Sequence, residues 1–261
     1  MRFSIKILPL IFFIFQIYAY GGDHLALGNP SGAKADIYSN TNYLIERDQY
    51  ALSYDNRSGV PNWVSWHLNK DDLGDVARNK SFYTDTTLPD SWYRVTSNDY
   101  KNGGYDRGHM CPSADRTNTV DNNKATFIMT NIVPQSAANN QKAWAQFENY
   151  LRDLVKSGKE IYIISGPWGS IGSIKGEGRI NIPATTWKIA LILDNGENDL
   201  DRINENTTLI TIEIPNESNL DSDWHKYITN VDTIEKLTGY NFFSNIDQHI
   251  QDVIESKKYS N

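Results

Sequence analysis

Stretches rich in β-branched and aromatic residues recur along the chain at 49–54, 63–68, 125–130, 160–165, 186–193 and 208–214. Turn formers bound them, among them Asn56, Gly59, Pro61, Gly166, Pro167, Asn195 and Gly196, so each run predicts a strand. Connections between the runs are long and tight-hairpin signals are few, which points to a central antiparallel or mixed sheet. Helical periodicity is rarer. Trp144, Phe147, Leu151 and Leu154 recur at spacings of three and four, predicting a helix over 141–156 that Gly158 stops. Asp232 reads as the N-cap of a short helix through Leu237 closed by Gly239, and 245–257 reads as a C-terminal helix. The pattern is that of an α+β domain, a central sheet with flanking helices.

The N-terminus departs from this pattern. Arg2 and Lys6 precede nine apolar residues from Ile7 to Phe15, and small residues follow at Ala19, Gly21 and Gly22. That is the layout of a secretory signal peptide over 1–21, too short in its apolar part for a spanning helix, which needs roughly 20 residues. The expectation is an exported protein, periplasmic or extracellular, with no membrane association once the leader is removed. An uncleaved N-terminal anchor is the alternative. Removing 21 of 261 residues leaves 240 (22–261), undivided by any linker or repeat, and these read as one domain. Cys111 is the single cysteine, so no intrachain disulfide supports the fold.

Charge changes the functional picture. Loss of Arg2 and Lys6 takes the formal net charge from −7 to −9, which argues against simple nucleic-acid binding through a basic face. No basic run exists, so any positive surface must be assembled by folding from residues such as Arg78, Arg94, Arg107, Arg116 and Arg152.

The segment 103–116 is short, polar and broken by glycine, and it places Asp106, Arg107 and His109 within four residues. Local packing does not call for that mixture. Phosphodiester hydrolysis does: a histidine can take a proton from the attacking water near neutral pH, and arginines can bind the anionic transition state. Gly108 would allow close backbone approach or a positive φ. Further along, Asn140, Trp144, Glu148 and Arg152 follow one another at steps of four and lie on one oblique stripe of the predicted helix. Such a stripe suits a hydrated cation and a phosphate, because an amide oxygen is a hard neutral ligand and a carboxylate can order metal-bound water. An N-cap asparagine with an exposed Glu148–Arg152 pair is the alternative at this point.

The motifs Tyr-Asp-Arg-Gly-His at 105–109, Thr-Asn-Ile-Val-Pro-Gln at 130–135 and Asn-Gln-Lys-Ala-Trp-Ala-Gln-Phe-Glu at 140–148 occur in that order. In these the chain resembles the DNA/RNA non-specific endonucleases, the ββα-metal nucleases that include secreted bacterial enzymes and mitochondrial endonuclease G, over roughly Asp36 to Lys257. The resemblance implies a ββα-metal finger set on the central sheet. It makes His109 the general base and Asn140 the sole direct protein ligand of a hydrated Mg2+ or Mn2+. Arg107 and Arg78 resemble the phosphate-contacting arginines, Glu148 the carboxylate that holds metal waters, and Arg152 the cation that stabilises the transition state. Asp106 is expected to brace the loop. The implied reaction is hydrolysis of DNA and RNA to 5′-phosphate and 3′-hydroxyl ends. Met110-Cys111 departs from the small apolar residues more usual after the histidine. Nucleic acid is the expected partner, with a dedicated protein inhibitor as a possible second.

Other chemistries fit less well. A thiol nucleophile at Cys111 lacks an orienting third group, and one cysteine with five scattered histidines makes no four-ligand zinc set. A non-catalytic nucleic-acid-binding protein is the competing class, against which the complete His109, Asn140 and Glu148 set speaks. The tryptophans read mostly as core residues, with Trp168 the one in a loop that invites base stacking.

Overall fold

The computed structural model describes residues 22–174 and 180–260. The leader read from 1–21 lies outside the described residues.

Strands β1 (Tyr43–Glu46), β2 (Ala51–Asp55) and β3 (Val60–Leu68) form an antiparallel meander. The chain then leaves the sheet for β4 (Asp106–His109), helix α1 (Val120–Ala125) and β5 (Ile132–Gln135), where β4 and β5 pair as a separate antiparallel ribbon. Helix α2 (Trp144–Lys156) leads back to the sheet at β6 (Lys159–Trp168), and the short strands β7 (Gly172–Ile174) and β8 (Ile180–Ile182) pair with each other. β9 (Thr185–Asp194), helix α3 (Asp199–Arg202), β10 (Thr208–Pro215), β11 (Ile228–Thr229) and helices α4 (Val231–Thr238) and α5 (Gln248–Ser256) complete the chain. Among the described residues the main sheet has seven strands in the order β1-β2-β3-β6-β9-β10-β11, every pairing antiparallel.

The central strands are apolar on both faces, so the sheet must be covered on both. In β6, Ile161 and Ile163 belong to one buried cluster, whereas Tyr162 and Ile164 belong to another. The first cluster takes Trp144, Phe147 and Leu151 of α2 and Ile132 and Val133 of β5. The second takes Val231 and Ile234 of α4 and Ile254 of α5. The molecule is therefore three layers: the β4–β5 ribbon with α2, the sheet, and the α4–α5 pair. No described helix is long and apolar enough to cross a membrane.

Five of the six strand expectations hold, and the sheet resolves as antiparallel. The run at 125–130 is instead the end of α1, a single bridge from Ile128 to Tyr83 and a 3-10 turn at Met129–Asn131. Its apolar residues were needed for packing, with Phe127 and Met129 buried, and not for a ladder. Asp232 is not the cap of α4. Asn230 takes that place, its side chain accepting from the Thr233 amide, while Gly239 closes the helix at φ +74° as expected.

Candidate active site

His109 ends β4, opposite Ile132 of β5. Its ring is walled by aromatics: Phe127 edge-on at 4.6 Å between centroids and Phe82 at 5.5 Å. The same two rings hold the arginines, with the Arg78 guanidinium 5.1 Å from the Phe127 centroid and that of Arg107 4.4 Å from Phe82. Arg107 also donates to Ser97 and Arg78 to Ser113, and both arginines are exposed residues. Burial, then Arg78 and then Arg107, depress the proton affinity of His109 to a pKa of about 3. The imidazole is neutral at physiological pH. Of its two nitrogens, Nε2 is sealed from solvent with no hydrogen-bond partner.

Gly108 does not have a positive φ. Its necessity is steric: a Cβ there would lie 1.8 Å from Gln135 Oε1. Gln135 in turn donates to Asn139 Oδ1 (3.0 Å), which starts the ordering of the helix entry.

That entry explains how two consecutive asparagines divide their work. Residues Asn139–Ala143 form a π-helical turn before α2, a widened geometry often found at functional positions. Asn139 is fully buried, donating to Thr186 Oγ1 (2.9 Å) and to the Pro215 carbonyl (3.0 Å), which pins the turn to the end of the β9–β10 pair. Asn140, half-buried, then faces the ribbon and donates through Nδ2 to Asp106 Oδ2 at 2.9 Å, beside Gln141 Nε2 at 2.8 Å. An ionised carboxylate only accepts, so it fixes the amide nitrogen toward Asp106 and turns the Asn140 oxygen away from it. That oxygen has no hydrogen-bond partner among the described residues. Asn140 is thus no N-cap. The neutral, oriented oxygen suits a hard, largely hydrated cation, and Asp106 is the brace the sequence suggested.

Glu148 lies two turns further along α2. Its Oε1 accepts from Lys188 Nζ at 3.0 Å, and the lysine, fully buried, also sits 4.2 Å from the Trp144 ring centroid. Oε2 of Glu148 is left for solvent or a ligand's water. Arg152 donates to Asp115 Oδ1 (2.7 Å) and to Asn149 Oδ1 (2.6 Å), so it is a paired, largely buried cation rather than a free surface one. Arg116 is also removed from the expected positive surface. It is 1 % exposed and donates to the carbonyls of Gln49, His67 and Asp115.

A cleft of about 520 Å³ opens beside the ribbon, lined among others by Lys101, Asp106, Arg107 and Asn140. His109, Glu148, Arg78 and Arg152 lie outside its lining. Trp168 is 38 % exposed with its indole N–H committed to the Leu237 carbonyl. Cys111 is fully buried, and burial raises its thiol pKa, which closes the thiol reading. Sequence reasoning missed Lys188, Asp115, Phe82 and Phe127 as parts of the site. Lys188 carried a signal, a lone cation inside an apolar strand.

The depressed histidines have a measurable consequence. Burial also lowers His24, to about 4. Below about pH 6.5 the unfolded chain protonates both rings while the folded protein does not. Both contributions are complete above pH 6.5 and are lost on acidification toward 4 and 3. Urea melts from pH 7 to pH 4.5 should therefore show a stability slope that is shallower in His109→Gln by about 1.4 kcal/mol per pH unit. Parallel slopes would show that His109 titrates normally.

The structure thus brings together a histidine on a two-stranded ribbon, two arginines beside it, and a helix-borne amide whose nitrogen is held by the same ribbon and whose oxygen is left unpartnered among the described residues. The chain belongs to the DNA/RNA non-specific endonuclease family, whose model matches residues 28–249. It is 49 % identical over 234 residues to a nuclease of Nostoc sp., covering 90 % of this chain and 85 % of that protein. It is 27 % identical over 233 residues to the human mitochondrial nuclease EXOG, covering 84 % of this chain and 59 % of the human one. EndoG, in its crystal structure with EndoGI, has the same fold at a TM-score of 0.75 and 24 % identity, covering 92 % of this chain and 97 % of that one. The protein is accordingly a nuclease acting on DNA and RNA.

Proposed function

We propose that this is an exported, metal-dependent endonuclease that hydrolyses DNA and RNA without strong sequence preference, with His109 as general base and Asn140 as the protein ligand of Mg2+ or Mn2+. One observation carries the reading: Asp106, three residues before His109 on β4, grips the Asn140 amide at 2.9 Å, so base and ligand are held on one unit. The metal, when bound, supplies Lewis-acid stabilisation of the phosphate and the leaving oxygen. The remaining roles belong to the chain. Arg107 and Arg78 bind the phosphate and reduce the field that suppresses His109, raising its proton affinity as substrate arrives. His109 Nδ1, the nitrogen that is not sealed, takes the proton of the attacking water. Glu148, anchored by Lys188, orders water in the metal's hydration shell, and Arg152 adds positive charge beside it. Among the described residues no base-reading element accompanies these groups, which supports action without strong sequence preference; hydrolysis by an activated water, which needs no 2′-hydroxyl, would serve both sugars and leave 5′-phosphate and 3′-hydroxyl ends.

The leader supports export, with residues 22–261 as the mature nuclease domain and no membrane association after cleavage. The complex of EndoG with EndoGI supports a dedicated protein inhibitor as a further partner. Incubation of the purified protein with plasmid, single-stranded DNA and RNA should give cleavage of all three in magnesium or manganese and of none in excess chelator. Cyclic 2′,3′-phosphate ends, or cleavage of RNA alone, would overturn the proposed chemistry.

A further inference from the structure

Among the described residues, two groups of ligand-type side chains lie away from the ribbon and α2: His67 with Glu160 and Asp199, and Asp232 with Glu235 and Glu255. Their charge balance differs. In the first, Arg202 bridges Glu160 and Asp199, the Gly196 amide donates to Glu160 and the Tyr162 hydroxyl to Asp199. Its carboxylates are already satisfied.

The second group has no such compensation. Asp232 and Glu235, three apart on one face of α4, and Glu255 near the end of α5 each present a carboxylate oxygen, and the three oxygens lie within 4.8 Å of one another. Among the described residues no cation pairs with any of them, and the Phe242 amide, donating to Glu235 Oε1 at 2.8 Å, is the one hydrogen bond they receive. Glu255 is 5 % exposed, and its Oε1 is sealed without a partner. Burial first, then Glu235, Asp232 and Asp252, push the Glu255 pKa up to about 8, and burial raises that of Glu235 too. Three converging carboxylates, one of them buried and unpartnered, lack a positive charge.

We propose that Asp232, Glu235 and Glu255 form a calcium site that clamps α4 to α5. All three donors are hard oxygens. Their spread matches Ca2+, whose oxygens at 2.3–2.6 Å stand up to roughly 5 Å apart, better than Mg2+ at about 2.0–2.1 Å, which demands a tighter octahedron and retains its waters. Ile234 and Ile254 pack on the opposite face of the sheet from Trp144 and Phe147 of α2, so the clamp acts on the fold and not on the catalytic groups. A chain with one cysteine has no disulfide to tie these helices together. The competing occupant is a proton on Glu255.

The test uses the chelated, full mature chain carrying Asn140→Ala, so that the catalytic position does not contribute, and the same chain with Glu255→Gln added. With a Kd on the order of 10⁻⁴ M, as in extracellular calcium modules, 10 mM Ca2+ should raise Tm by about 4–10 °C, and Mg2+ by less. Glu255→Gln should remove that shift and one site in calorimetric titration while melting no lower than its parent without metal. Asp232→Asn repeats the comparison if Glu255→Gln does not fold. A calcium shift preserved in these variants, or no shift in the parent, would overturn the proposal, the latter identifying the proton as occupant.

Discussion

Asn140→Ala is expected to lower plasmid cleavage by about 10²–10³-fold at low millimolar magnesium, a loss of several kcal/mol of metal-derived transition-state stabilisation. The fold should survive. The structural burden of the helix entry rests on Asn139, not Asn140, and the Asn140 backbone amide still donates to the Ser136 carbonyl at 2.9 Å. Asp106 loses one donor but keeps Gln141. With one neutral oxygen as the protein's proposed share of the coordination, its removal should appear chiefly as weakened metal affinity, with part of the activity returning as magnesium or manganese is raised. Titration of rate against metal concentration reads this out. An unchanged metal dependence, or full activity in excess EDTA, would remove Asn140 from that role.

The contrast between Asn139 and Asn140 shows where sequence reading succeeds and where it stops. The three motifs, the long helix and most of the sheet were legible, since periodicity and turn residues report on elements that bury one or two apolar faces. Steps of four along the helix singled out Asn140, and its role as sole protein ligand came from family resemblance. Spacing along the chain does not reveal that a π turn places one amide among the β9–β10 carbonyls and aims its neighbour at Asp106. Partners that come from distant segments were equally hidden. Lys188 reaches Glu148 across 40 residues, and Asp115 meets Arg152 across 37. The run at 125–130 misled because β-branched and aromatic content reports burial as readily as strand formation. There Phe127 was needed as a wall for His109.

Replacement of His109 should have the largest effect on turnover. General-base catalysis typically contributes about 10²–10⁴-fold, and His109→Ala also removes the group that positions the attacking water. Substrate binding should change little, since Arg78 and Arg107 are held by Phe127 and Phe82 independently of the imidazole. Stability should change modestly, because the lost packing is offset by removal of a buried nitrogen without a partner. The vacated space between the two phenylalanine rings is shaped for a planar heterocycle. The most direct measurement is therefore the cleavage rate of His109→Ala against pH, with and without added imidazole. The account predicts a rate at least 10²-fold below wild type, partial recovery that follows the concentration of neutral imidazole, and a pH profile displaced toward the pKa of the added base. Cleavage within threefold of wild type, with native circular dichroism and no response to imidazole, would contradict it.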